Sequence, residues 1–183
     1  MINGKHLFIA STLAVFALIF SAAAPGEDTR ELDRSAAHTL ERFNAESTMR
    51  RELAQKASGI LIFPRLAKAG AGLGAEYGRG VLQVAGKTVA HYALSGASLG
   101  ATLGASEHSE VVLFMTPDAL QRFLATEVWT VGADAQVAVV TKGVGGTYDT
   151  ETLQKPILGF VFDERGLMAD VSLEGTKITR KPS

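Results

Sequence analysis

Between Gly70 and Gly80, glycine occupies positions 70, 72, 74, 78 and 80. Side chains of an extended chain alternate between two faces, so this strand would have one face bare except for Glu76. The opposite face carries Leu73, Ala75, Tyr77 and Arg79. A second row repeats the arrangement: Gly96, Ser98, Gly100, Thr102, Gly104 and Ser106 share one face, Ala97, Leu99, Ala101 and Leu103 the other. Two stripped strands allow close approach of another backbone, a helix or a ligand, and they permit the bends by which a sheet curls toward a barrel.

Other readings of the glycines lack the context they require. Gly70 to Ala75 fits the G-x-G-x-x-G/A dinucleotide fingerprint, but Gly78, Gly80 and Gly86 would break the helix that should follow, and the acidic residue about 20 positions on is missing. No Lys-Ser/Thr completes a P-loop. Gly96-Ala97-Ser98-Leu99-Gly100 has the spacing of a nucleophile elbow, yet Gly100 and Gly104 follow where a helix is needed. As a small-residue membrane seam, Val89 to Ala105 is short and closely flanked by Lys87 and Glu107.

The N-terminus reads as a secretory signal peptide over residues 1–23. Lys5 lies in a short leader, Leu7 to Phe20 is apolar to weakly polar, and Ser21 to Ala24 are small. Cleavage is expected after Ala23, since a cut after Ala24 would place Pro25 at the junction; the alternative is an uncleaved anchor, for which the apolar run is shorter than the ~20 residues of a spanning helix. The 160 residues left of 183 make one domain, large enough to bury roughly two thirds of its unfolded surface. The chain has no cysteine, which excludes disulfides, thiolate metal sites and thiol catalysis. Eighteen basic residues against 19 acidic ones argue against a nucleic-acid partner.

From Glu27 to Lys56 the pattern is helical. Leu32, Ala36, Leu40 and Phe43 form one stripe, Asp28 to Glu31 resembles a capping box, and polar Asn44 to Thr48 separates a second helix that starts at Ser47 or Thr48 and stops at Gly59. Met49, Leu53 and Ala57 are its inward residues. Strand patterns follow. Glu110 to Met115 is apolar on both faces and belongs in the middle of a sheet or under a helix. Thr116-Pro117-Asp118 opens a short helix to about Thr126, with Leu120, Phe123 and Leu124 inward. Strands are expected at Asp134 to Thr141, Ile157 to Phe162 and Leu167 to Glu174, and a loose tail from Thr179. The order predicts an α+β fold: N-terminal amphipathic helices over 24–58 packed on a curved, mostly antiparallel Gly-rich sheet over 59–179, a partial barrel or sandwich with one internal helix, and a tail at 180–183.

No metal or cofactor spacing appears, and His38, His91 and His108 fall on different predicted elements. Glu76, alone on its bare face, is the candidate buried functional carboxylate. Arg50, Arg51, Lys56, Arg65, Lys68 and Arg79 face only Glu52 and Glu76 in the same stretch, a net of four positive charges. The first five are candidates for contacting anionic lipid headgroups, at on the order of 1 kcal/mol per cation close to a membrane.

The segments "KASGILIFPRLAKAGAGLGAEYGRGVL", "GASLGATLG", "EVVLFMTPDALQRF", "GADAQVAVV" and "GFVFDERGLMADVSLEGTKI" resemble the SYLF domain family in that family's order, from about Lys56 to Ile178. The chain departs from it where "HYALSG" replaces a Trp-Ser segment and "TKGVGGTYDT" a Gly-Pro turn. The resemblance implies a non-enzymatic phospholipid-binding domain that meets membranes through its N-terminal segment and basic residues, without cofactor. Actin binding occurs in some eukaryotic members. In an exported protein of a bacterial periplasm or cell envelope, the setting expected here, only lipid binding transfers. The alternative expectation is an envelope interaction module that self-associates through its glycine faces.

Overall fold

The computed structural model describes residues 29–140, 149–166 and 175–182. The expected signal peptide, the cap residue Asp28, most of "TKGVGGTYDT" and the strand expected at Leu167 to Glu174 lie outside these residues.

Two helices open the described chain, α1 over Thr29–Glu46 and α2 over Thr48–Lys56. Leu32, Ala36, Thr39 and Phe43 are the buried stripe of α1. The break is a single residue, Ser47, whose extended backbone and hydroxyl cap α2 by accepting from the Arg50 N–H at 3.2 Å.

Two very long strands follow, β1 over Gly59–Val84 and β2 over Lys87–Phe114, paired antiparallel from Gly59 opposite Phe114 to Val84 opposite Lys87. Ala85 and Gly86 join them with φ of 49° and 74°. Positive φ at both central residues is the geometry of a two-residue type I′ hairpin, whose twist matches that of the strands.

This hairpin is bent back on itself. A Cβ on Gly80 would lie 2.5 Å from a ring carbon of Phe63, and one on Gly78 would lie 2.4 Å from the carbonyl oxygen of Arg65. Phe63 and Gly80 belong to the same strand and would be about 55 Å apart if it ran straight. The corner lies near Gly70, where a Cβ would meet the Gly74 Cα at 2.7 Å. There the pairing steps from Ala71 opposite Leu103 to Leu73 opposite Leu99, so β2 spends three residues where β1 spends one. The extra residues give the outer strand its longer path around the bend. Of the partners that a bare glycine face can admit, Gly78 and Gly80 receive the first half of their own strand.

The helix α3 spans Pro117–Leu124, with Thr116 as N-cap accepting from the Ala119 N–H at 3.3 Å. Among the described residues the remaining strands are β3 Val128–Thr130, β4 Ala138–Val139, β5 Ile157–Gly166 and β6 Lys177–Arg180. The sheet runs β3-β6-β2-β5-β4, with β1 on the other side of β2. Near its end β2 pairs with β5 (Phe114 opposite Ile157), and beyond the bend it pairs with β6 (Tyr92 opposite Arg180). All strand pairs are antiparallel except β4–β5. The fold is α+β, dominated by strands in a curled sheet.

Two apolar cores result. Inside the curl, Leu61, Phe63, Leu66, Leu82, Tyr92, Leu94, Val112 and Phe114 meet Trp129, Ile178 and the α3 residues Leu120 and Phe123. On the other face, Ile62, Val81, Val111, Leu113, Leu158, Phe160 and Phe162 meet Leu32, Ala36, Phe43 and Ala54 of the helices. Alternation along β1 and β2 feeds both cores, which explains why Glu110 to Phe114 reads as apolar on both faces.

Three expectations are corrected. Thr179 and Arg180 are in β6, held between β2 and β3, where a loose tail was expected. Leu124 is exposed, because α3 buries Ala119, Leu120 and Phe123 and its last residue turns past that contact. The strand expected over Asp134 to Thr141 reduces to Ala138–Val139, with Thr130 to Asp134 forming a turn closed by an Asp134 N–H to Thr130 carbonyl bond.

Candidate functional site

The bend builds a polar cluster within the curled sheet. After the register irregularity between Phe63 and Leu66, Lys68 turns to the same buried side as Leu66. His108 and Glu110, two residues apart on β2, share that side. The second half of β1 folds over them and brings Glu76. His108 Nε2 lies 2.9 Å from Glu76 Oε1 and 3.3 Å from Glu110 Oε1. Lys68, Glu76, His108 and Glu110 are all at least nine-tenths buried.

The electrostatics follow from that burial. Burial opposes a charge on His108, but its hydrogen bond to Glu110 and the adjacent Glu76 carboxylate outweigh this and push its pKa up to about 9. Burial raises the pKa of Glu110 despite the favourable His108 contact, and Glu76 adds to the rise while Lys68 works against it. His108 Nε2 thus stands between the two carboxylates, and the 2.9 Å contact of Glu76 Oε1 with it is an ion pair.

Glu76, singled out by parity, is therefore buried, at 8% exposure. His108, Glu110 and the burial of Lys68 were missed. The H-x-E spacing carried part of the signal, since two such residues on a strand share a face. Register alone does not join the parts, because Glu76 is paired with Gly96 and His108 with Leu66.

The five basic residues expected at a membrane are split by the fold. Arg50 is 6% exposed, with its guanidinium 5.2, 5.4 and 5.6 Å from the rings of Phe43, Phe160 and Phe162 and ion-paired to Glu46. It closes the core under the helices, as a desolvated cation on aromatic faces. Lys68 is buried within electrostatic reach of Glu110. Arg51, Lys56 and Arg65 are exposed, and Arg51 donates to the Asn44 carbonyl at 3.3 Å.

Arg65 also lines an open cleft of about 530 Å³ between α1 and the sheet, together with Arg34, Arg42, Arg165 and His108. Arg42 is held across it by Asp163 at 2.9 Å. On the outer side of the bent hairpin, Leu73 and Tyr77 are each 45% exposed, with Arg79 half-buried in the same row. Among the described residues, no helix is long and apolar enough to cross a membrane.

Residues 95–183 match a family model described as "Ysc84: Las17-binding protein actin regulator". The match starts in the second glycine row, takes in His108 and Glu110, and stops short of Lys68 and Glu76. No curated protein matches the chain.

Proposed function

Because the chain belongs to the SYLF domain family through residues 95–183, we propose that it is a non-enzymatic lipid-binding domain acting at the membrane surface of the cell envelope. The observation that carries this reading is the exposed Leu73 and Tyr77 pair on the outer face of the bend. An apolar side chain and an amphipathic aromatic ring on one face of the strand, four residues apart, suit the boundary between acyl chains and headgroups. Arg51, Lys56 and Arg65 are the exposed cations left from the basic stretch, and they supply attraction to anionic headgroups that salt screens.

The actin-regulator description is that of the family model, and the resemblance implies actin binding for some eukaryotic members only. With an N-terminus that reads as a secretory signal, this chain is assigned the lipid role alone. Self-association through the glycine faces is disfavoured at Gly78 and Gly80, which are already closed by the chain itself.

Flotation with vesicles tests the proposal. The chain from Ala24 should float with anionic phospholipid at low salt and less at high salt, and the Arg51→Gln, Lys56→Gln, Arg65→Gln triple variant should lose most of that salt-sensitive binding. Flotation with neither neutral nor anionic vesicles would refute it.

A further inference from the structure

We propose that Glu76, His108 and Glu110 form a binding site for a divalent transition-metal ion of the zinc class. Their donor atoms, one imidazole nitrogen and two carboxylate oxygens, lie within 4.8 Å of one another. Zinc bonds of about 2.0–2.1 Å in tetrahedral geometry set neighbouring donors roughly 3.3 Å apart. The His108–Glu110 spacing of 3.3 Å already has that value, Glu76 at 2.9 Å from His108 has to withdraw by less than half an ångström, and the two carboxylate oxygens, within 4.8 Å of each other, have to settle at the same spacing.

A second observation points to a ligand. Buried carboxylate oxygens normally have well-formed hydrogen bonds, whereas the buried Glu76 Oε1 has only its ion-pair contact with His108 Nε2, without hydrogen-bond geometry. A metal between the three side chains would satisfy it. All three stand on paired strands, which fix ligands more firmly than loops do. Lys68 lies within electrostatic reach of Glu110. The Thr176 methyl and Glu76 Oε2 crowd the same space over Gly96, where a Cβ would meet them at 3.0 and 3.6 Å, which limits how Glu76 can turn away.

Donor chemistry sets the class of ion. Calcium takes six to eight oxygen ligands and magnesium keeps a near-octahedral shell of them, whereas a buried site with imidazole and two carboxylates suits zinc or a neighbouring first-row ion. Three protein ligands leave a fourth position for water. Coordination through Nε2 releases that nitrogen's proton to solvent.

The test uses the full chain, stripped with a chelator and titrated with zinc chloride by calorimetry and with cobalt chloride by visible absorption. One equivalent should bind, with cobalt giving the d–d bands of a low-symmetry site. His108→Ala and the isosteric Glu76→Gln should each weaken zinc binding by more than the roughly 10–100-fold that loss of an outer partner costs, while His38→Ala changes nothing. Circular dichroism establishes that each variant is folded, and Glu76→Gln decides the matter should His108→Ala fail to fold. Absence of zinc uptake, or uptake undiminished in folded Glu76→Gln, would overturn the proposal.

Discussion

His108 Nε2 sits 2.9 Å from Glu76 Oε1, although the hairpin register pairs His108 with Leu66 and Glu76 with Gly96. Only a hairpin folded across itself can bring the two together, so this contact reports on the bend as well as on the charge inside it.

Metal-free protein should lose stability as pH rises. His108 has a folded pKa of about 9 against an ordinary 6.5, so its contribution is fully present below 6.5 and disappears as pH passes through 9. The raised pKa of Glu110 acts in the same direction, because ionising it in the folded state costs more than in the unfolded chain. Between pH 6.5 and 9.5 unfolding free energy should fall by about 3 kcal/mol. Urea denaturation in chelator at several pH values measures it, and His108→Gln should flatten the profile; an equal slope in that variant would assign the pH dependence to other groups.

Arg50 should behave as a core residue. Arg50→Gln leaves the pocket of Phe43, Phe160 and Phe162 without its cation and Glu46 without its partner, at a cost of about 2 kcal/mol or more. Exposed Arg51→Gln should stay within about 0.5 kcal/mol. Urea midpoints at constant m-value separate the two.

Gly78 is the tightest point of the bend. The atom nearest to a Cβ there is the Arg65 carbonyl oxygen at 2.4 Å, part of a backbone that cannot swing aside as a side chain can. Gly78→Ala should therefore destabilise by at least about 2 kcal/mol, whereas Ala97→Val, on the exposed face of the neighbouring strand, should be nearly neutral. Thermal denaturation of the pair distinguishes a packed bend from an open one.

Much of this was legible in the sequence because it is local. The α1 stripe, the Ser47 cap, the Thr116-Pro117 helix start and the alternation of β1 and β2 all follow from periods and caps that a few residues define. Parity also isolated Glu76. The fold-back was not legible, since glycine faces announce close approach without saying what approaches. Hence Arg50 and Lys68 read as surface cations, and their burial comes from Phe160 and Phe162 on β5 and from Glu110 on β2, residues far away in sequence. The strand β6 was missed because Thr179 and Arg180 gain their order from β2 and β3, not from their own pattern.

In the proposed function the outer face of the bend meets lipid. The most direct measurement is co-sedimentation of the Leu73→Glu, Tyr77→Glu double variant with anionic vesicles beside the parent chain. Both side chains are exposed, so the variant should remain folded, and placing two carboxylates at the acyl boundary should abolish most of the binding. Binding equal to that of the parent by a folded double variant would contradict the claim.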